Sequence, residues 1–221
     1  LMDRLRREMT GQRVILSVER LDYTKGTLEK LLAFEQLLEQ NEELRQKVTL
    51  IAVCVPAASE MTIYDTLQTQ IEQAVGRING RFSRVGWTPV QFFFRPIPFA
   101  ELVAYYAIAD VMWITPLRDG LNLVSKEYVA TQGLMQGGGV LVLSEFAGAA
   151  AELHGAVLTN PHDRNDLRDK CLYALNIHRA EAESRLRELF AIVQHNDIVR
   201  WGAEFLAAVE ATGQSEQVLA A

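Results

Sequence analysis

The sequence predicts an α/β domain built on a doubly wound parallel β-sheet. Short, almost uninterrupted apolar runs recur along the chain, and segments with helical periodicity follow them. Six such strand–helix units follow one another, which is the pattern of a parallel sheet covered by helices on both faces. At 221 residues, 49% of them hydrophobic, the chain has the length and the apolar content for one such domain.

The strands and helices are placed from apolar runs and from apolar residues at helical spacing. The predicted strands span residues 14–18, 48–55, 89–94, 110–114, 140–143 and 156–159. A first helix is expected to end near Gly11, and later helices are predicted at about 27–40, 64–79, 99–109 and from 123. Gly80 is expected to end the second of these, and Ala149–Ala151 to begin another helix. From about residue 164 the chain is predicted to be helical, at 164–177, 180–195 and 198–211.

Composition disfavours several classes of function. The formal net charge of −6 argues against a nucleic-acid surface. No apolar stretch approaches the roughly 20 residues of a membrane span, and no signal peptide opens the chain, so we expect a cytoplasmic protein without membrane contact. Cys54 and Cys171 have no metal-ligand spacing and are predicted to be reduced core thiols, with no structural metal.

The segment from Thr115 to Glu127 joins the fourth strand to the following helix. Asp119 and Gly120 stand at the predicted bend, and Asn122 is a plausible N-cap. In an open parallel sheet, ligands bind at such turns, where helix amides favour an anion. Glu127 falls near the end of the first helical turn, from which a carboxylate can reach a sugar hydroxyl. The alternative interpretation is an ordinary capped turn with solvated charges.

The turn after the first strand carries Glu19, Arg20, Asp22 and Lys25. Arg20 and Lys25 can hold a diphosphate, the first as a planar fork and the second as a point charge. The alternative is a surface ion pair between Arg20 and Asp22, which contributes ~0–1 kcal/mol. Spacing alone does not decide between them. No GxGxxG follows this strand, so a dinucleotide dehydrogenase is disfavoured.

Four motifs resemble, in the same order, those of the trehalose-6-phosphate synthase family of retaining glycosyltransferases. They are Val18-Glu-Arg-Leu-Asp-Tyr-Thr-Lys-Gly26, Gly76-Arg-Ile-Asn-Gly-Arg-Phe82, Arg118-Asp-Gly-Leu-Asn-Leu-Val-Ser-Lys-Glu127 and Leu143-Ser-Glu-Phe-Ala-Gly-Ala149. The resemblance covers about residues 10 to 209. It implies that residues 1–221 are the carboxyl-terminal, Rossmann-like, nucleotide-sugar-binding half of a GT-B enzyme. The amino-terminal acceptor domain is then expected in another part of a longer protein.

The resemblance also implies roles for individual residues. Arg20 and Lys25 hold the donor diphosphate, Asp119 binds a glucose hydroxyl, and Glu127 holds the ribose. Arg20, Lys25 and Asp119 are accordingly the expected catalytic residues, with no metal and no cofactor. The remaining expected donor contacts, partly through backbone amides, are Gly120, Leu121, Asn122, Leu123 and Val124. Residues 95–99 are expected beside the nucleotide base.

The acceptor is predicted from the segment after Pro56. Family members that use glucose 6-phosphate carry an arginine there, whereas this chain has Ala57-Ala-Ser-Glu60, whose carboxylate repels a phosphate. Residues 53–61 and 87–94 resemble members that transfer glucose from ADP-glucose to glycerol 3-phosphate, the route to an osmolyte used in salt stress. Glucose 6-phosphate as acceptor, or a non-catalytic nucleotide-sugar-binding domain, remain alternatives. The expected protein partners are the amino-terminal half and possible further copies in a homo-oligomer.

Overall fold

The structure, a computed structural model, describes residues 1–56 and 62–219, with side chains in 1–56 and 63–209. The strands in these ranges are β1 Arg13–Arg20, β2 Val48–Val55, β3 Val90–Phe93, β4 Val111–Ile114, β5 Val140–Ser144 and β6 Val157–Thr159. The helices are α1 Met2–Glu8, α2 Thr27–Gln40, α3 Thr62–Phe82, α4 Phe99–Ile108, α5 Leu123–Leu134, α6 Arg164–Asn176, α7 Arg179–His195 and α8 Ile198–Leu219.

All observed strand pairs are parallel, in the order β3-β2-β1-β4-β5-β6. The predicted doubly wound sheet is therefore confirmed. The strand order reverses between β1 and β4: the chain moves outward from β1 to β3, then returns and continues from β4 to β6. Loops that leave the carboxyl ends of β1 and β4 diverge to opposite faces, which opens a crevice between them.

The sheet is buried on both faces, as expected for strands that are apolar along their whole length. Leu31 and Phe34 of α2, with residues of α3 and α6, form the core on one face. Tyr106 of α4 and Tyr128 of α5, with residues of α1 and α7, form the core on the other. Both cysteines are free and buried, as predicted, and burial raises the pKa of the Cys54 thiol to about 12.

Three predicted element boundaries are wrong. Helix α3 continues past Gly80 to Phe82, because an isolated glycine inside a helix costs only about 1 kcal/mol. Gly148–Ala151 forms a 3₁₀ turn where a helix was predicted. The amides at its start donate to the loop after β4, from Gly148 to the Asp119 carbonyl at 2.9 Å and from Ala149 to the Leu121 carbonyl at 2.8 Å. Helix α8 runs beyond residue 211 to Leu219.

Helix α8 presents an exposed apolar face. Ile198, Trp201, Phe205 and Leu206 recur at the spacing of one helix side and are 76%, 61%, 54% and 62% exposed. The rings of Trp201 and Phe205 stack with centroids 5.4 Å apart. Below, these four residues are called the α8 apolar face. In the ranges given above, no helix combines the length and apolarity that crossing a membrane requires.

Candidate functional site

A cleft of about 350 Å³ lies at the point where the strand order reverses. It is lined by the end of β1, the end of β4 and the start of α5. Most of the predicted donor-site residues meet there: Arg20, Lys25, Asp119, Leu121, Asn122, Leu123 and Val124. Gly120 and Glu127 are outside this lining. We call this cavity the switch-point cleft.

The turn after β1 is shaped by two local features. The Asp22 carboxylate accepts from the Thr24 amide at 2.8 Å and from the Thr24 hydroxyl at 2.7 Å, which caps the 3₁₀ turn Tyr23–Lys25. Gly26 then adopts a φ of 67°, and a Cβ there would lie 2.5 Å from the Thr115 carbonyl oxygen. Asp22 is thus engaged in capping, and Arg20 forms no ion pair with any described residue. The surface-pair interpretation of Arg20 and Asp22 is not supported.

Lys25 and Asp119 form an ion pair across the cleft, with Nζ 2.7 Å from Oδ2 and side chains only 17% and 14% exposed. Asn122 Nδ2 at 3.1 Å and the Leu121 amide at 3.3 Å also donate to this carboxylate. Burial alone raises the pKa of Asp119, but the hydrogen bonds from Lys25, Asn122 and Leu121 outweigh it and hold the pKa below its ordinary value. Asp119 is therefore an ionised, fixed acceptor at neutral pH.

The start of α5 is arranged as an anion site. Asn122 caps the helix, as predicted: its side chain accepts from the Ser125 amide at 3.0 Å, with a φ of 74°. Leu123 and Val124 follow as the first residues of α5, where amides lack intrahelical partners, and both line the cleft. The helix dipole adds positive potential at the same end.

The loop after β5 supports the Asp119 loop from the other side. The Asp119 amide donates to the Phe146 carbonyl at 3.2 Å. A Cβ on Gly148 would lie 2.1 Å from the Gly120 carbonyl oxygen, so only glycine permits this approach. Gly120 therefore takes part through its backbone carbonyl, which packs against Gly148, and the residue itself is exposed.

Glu127 lies beside the cleft, three residues after Val124 on α5. Its Oε2 accepts from the Tyr106 hydroxyl at 2.8 Å. Burial, and then the bond to Glu127, raises the pKa of Tyr106, which stays a donor. Tyr106 was not identified from the sequence, since its partner is 21 residues away. The only feature of the sequence that could have indicated its role is a tyrosine on the apolar side of a helix, since a buried tyrosine hydroxyl usually has a hydrogen-bond partner.

A buried ion pair fixes the end of β1 to α2. Lys30 is 2% exposed, and its Nζ lies 2.6 Å from Ser17 Oγ and 2.8 Å from Glu19 Oε2. The Thr27 hydroxyl donates to the other Glu19 oxygen at 2.6 Å. Glu19 was predicted to be one of the charges of this turn, whereas Lys30 was not identified from the sequence. Because Arg20 follows Glu19 directly, this pair positions the first cation of the cleft.

The segment Ala57–Glu60, on which the predicted acceptor depends, lies outside the described residues. Within those residues, no group of three histidine, cysteine, aspartate or glutamate side chains is placed to hold a metal ion.

A doubly wound sheet with two cations, a fixed carboxylate and a helix N-terminus at its switch point belongs to the class of open α/β domains that bind ligands in this crevice. The chain matches glycosyltransferase family 20 over residues 2–211. It is 74% identical over 190 residues to the glucosylglycerol-phosphate synthase of Pseudomonas anguilliseptica, covering 86% of this chain and 25% of that protein. It is 45% identical over 204 residues to the trehalose-6-phosphate synthase of Mycolicibacterium smegmatis, covering 92% of this chain and 40% of that protein.

The chain belongs to glycosyltransferase family 20. A solved structure agrees: a Burkholderia xenovorans alpha,alpha-trehalose-phosphate synthase (UDP-forming), in complex with glucose-6-phosphate, superposes with a TM-score of 0.90 at 38% identity. The match covers 94% of this chain and 46% of that one. The chain thus spans between a quarter and a half of the length of these relatives.

Proposed function

We propose that this chain is the donor-binding half of a retaining glycosyltransferase that transfers glucose from ADP-glucose to glycerol 3-phosphate. The observation that carries the proposal is the switch-point cleft, in which Arg20, Lys25 and the start of α5 surround one space with the ionised Asp119. The acceptor is favoured by the 74% identity to a glucosylglycerol-phosphate synthase. ADP-glucose rests on the resemblance of residues 53–61 and 87–94 alone.

The proposed roles follow from charge. As the glycosidic bond stretches, negative charge grows on the leaving diphosphate, and Arg20, Lys25 and the α5 amides stabilise it there. Asp119 accepts a hydrogen bond from a glucose hydroxyl and fixes the sugar. Glu127 accepts from the nucleotide ribose. Arg20, Lys25 and Asp119 line the same cleft, so these three groups are close together for a bound donor.

The proposed partner of this domain is the amino-terminal half of the same enzyme, which brings the acceptor site over the cleft. The α8 apolar face is consistent with this, since exposed apolar surface of this kind marks an interface. The length of the relatives leaves room for such a half.

We therefore expect the chain by itself to bind ADP and to form no product. Calorimetric titration with ADP, UDP and GDP measures nucleotide binding. An assay with ADP-glucose and glycerol 3-phosphate measures product formation. Tighter binding of UDP than of ADP would reassign the donor. Glucosylglycerol phosphate made by the chain alone would show that the acceptor site is not in a separate half.

The acceptor requires the full-length enzyme. We expect it to prefer glycerol 3-phosphate to glucose 6-phosphate by at least about tenfold in a competition assay, because the two acceptors differ in size, and a site that pairs the phosphate of the smaller one leaves that of the larger one misplaced. Glucose 6-phosphate is the second candidate, favoured by the trehalose-phosphate synthase relatives and by the structure that contains it. Mostly trehalose phosphate among the products would establish that second candidate.

A further inference from the structure

Tyr106 connects the core of the domain to the edge of the switch-point cleft. Its side chain is completely buried, and its hydroxyl donates to Glu127 Oε2 at 2.8 Å. Glu127 itself is partly buried on α5. A buried phenol that donates to a carboxylate forms one of the stronger hydrogen bonds in a protein.

The position of the Tyr106 hydroxyl is fixed by contacts further along α5. The Tyr106 carbonyl accepts from Gln132 Nε2 at 2.7 Å, and its ring meets the Tyr128 ring edge-on with centroids 6.3 Å apart. Gln132 Nε2 also donates to the Ala109 carbonyl at 3.2 Å, just after α4. These contacts hold α4 against α5 and keep the buried Tyr106 ring beside Glu127.

The hydrogen bond from Tyr106 occupies only one of the two carboxylate oxygens of Glu127. Oε2 is held from the protein interior, whereas Oε1 accepts no hydrogen bond from any described residue. Glu127 lies three residues after Val124, which lines the cleft, and residues at this spacing share one side of a helix. A carboxylate with one oxygen free of protein hydrogen bonds, beside the switch-point cleft, is suited to accept from a ribose hydroxyl.

We infer that Tyr106 is a positioning residue for the donor: it holds Glu127 so that Oε1 receives the ribose, and it thereby sets a preference for ribose over deoxyribose nucleotides. This inference rests on the proposed function, in which Glu127 contacts the ribose. Tyr106 contacts no substrate itself. Its effect is pre-organisation, because a carboxylate held in one rotamer loses less freedom on binding.

The test compares ADP with 2′,3′-dideoxy-ADP as ligands of this chain by calorimetry. The unsubstituted chain is expected to bind ADP about tenfold or more tightly, as for a hydrogen bond to a charged group. Tyr106→Phe keeps the ring and removes the hydroxyl, and should reduce this ratio several-fold. The ratio refers to two ligands of the same folded protein, so a loss of stability does not imitate the effect.

A double-substitution cycle shows whether Tyr106 acts through Glu127. Glu127→Gln should reduce the ratio by itself, and adding Tyr106→Phe should then change it no further, because coupled residues are not additive. The control is Tyr105→Phe, at the position next to Tyr106. It removes the hydrogen bond from the Tyr105 hydroxyl to Glu101 and should leave the ratio unchanged.

Three outcomes are informative. A ratio that falls in Tyr106→Phe, but not in Tyr105→Phe, supports the inference. A ratio that Tyr106→Phe leaves intact, while Glu127→Gln lowers it, would overturn the inference alone. No preference for ADP in the unsubstituted chain would overturn both the inference and the role of Glu127 in the proposed function. If Tyr106→Phe does not fold, Glu127→Gln still decides whether the carboxylate reads the ribose, and an unchanged ratio there overturns the inference.

Discussion

Arg20→Ala is expected to weaken ADP binding by about 10- to 100-fold while leaving the melting temperature unchanged. A charge-assisted hydrogen bond contributes ~1.5–3 kcal/mol, and each ~1.4 kcal/mol is a factor of ten in affinity. Arg20 is exposed at the end of β1, lines the cleft and has no ion pair within the described part of the chain. Its removal should therefore take away the proposed diphosphate contact and no structural one.

The matched control is Arg118→Ala. Arg118 is also exposed, follows β4 and lies next to Asp119, but its side chain does not line the cleft. A general loss of positive charge would weaken binding in both variants, whereas a specific diphosphate contact affects Arg20 alone. If Arg20→Ala lowers the melting temperature and keeps its ADP affinity, Arg20 is a structural residue.

Lys25→Met is expected to reduce ADP affinity and stability together, because Lys25 is paired with Asp119 and only 17% exposed. The folded pKa of Asp119 lies below its ordinary value, so its stabilising contribution is complete above the unfolded pKa and is lost as pH falls through the folded pKa. In Lys25→Met, burial of Asp119 remains while its strongest hydrogen bond is gone, so the pKa rises. Urea unfolding should show a deficit at neutral pH that shrinks towards about pH 3.

Lys30→Met is expected to destabilise the domain by about 3–5 kcal/mol. The substitution leaves the Glu19 carboxylate, 8% exposed, without its counter-charge, and an unpaired buried charge is costly. The bond from Thr27 remains but carries no charge. For a chain of this length the expected decrease in melting temperature is roughly 10 °C. Urea unfolding measures the free energy directly.

A second substitution separates loss of the pair from loss of packing. In Lys30→Met with Glu19→Leu both charges are replaced by apolar groups, and most of the stability should return, because an apolar pair avoids the desolvation of two ions. Lys47→Met is the control: Lys47 is exposed, and the change should stay within about 0.5 kcal/mol. A double variant as unstable as Lys30→Met would show that the interior contacts of Lys30, and not its charge, are what matters.

The sequence predicted those features that depend on local pattern. The predicted 27–40 helix and 48–55 strand coincide with α2 and β2, since apolar periodicity and turn residues mark both ends. The location of the cleft was predicted from the turns after β1 and β4, because ligands of an open parallel sheet bind outside the carboxyl ends of its strands. Asn122 was identified as a cap because capping depends on residues three positions apart.

The sequence did not predict contacts between distant segments. In the sequence, Lys30 and Tyr106 resemble ordinary helix residues. Lys30 pairs with Glu19, 11 residues away, and Tyr106 donates to Glu127, 21 residues away. The 3₁₀ turn Gly148–Ala151 also makes contacts between distant segments, since its first amides donate to the loop after β4. Local propensity cannot anticipate contacts that only the fold brings about.

Strands β1 and β4 occupy the centre of the sheet. Both strands have hydrogen-bonded neighbours on each side, whereas β3 and β6 form the margins of the sheet. In native-state amide exchange, margins and terminal helices open at low free energy, and central strands only with global unfolding. We therefore expect β1 and β4 to exchange last, and a nucleotide bound at the proposed site to protect the loops that follow these two strands and not the margins of the sheet.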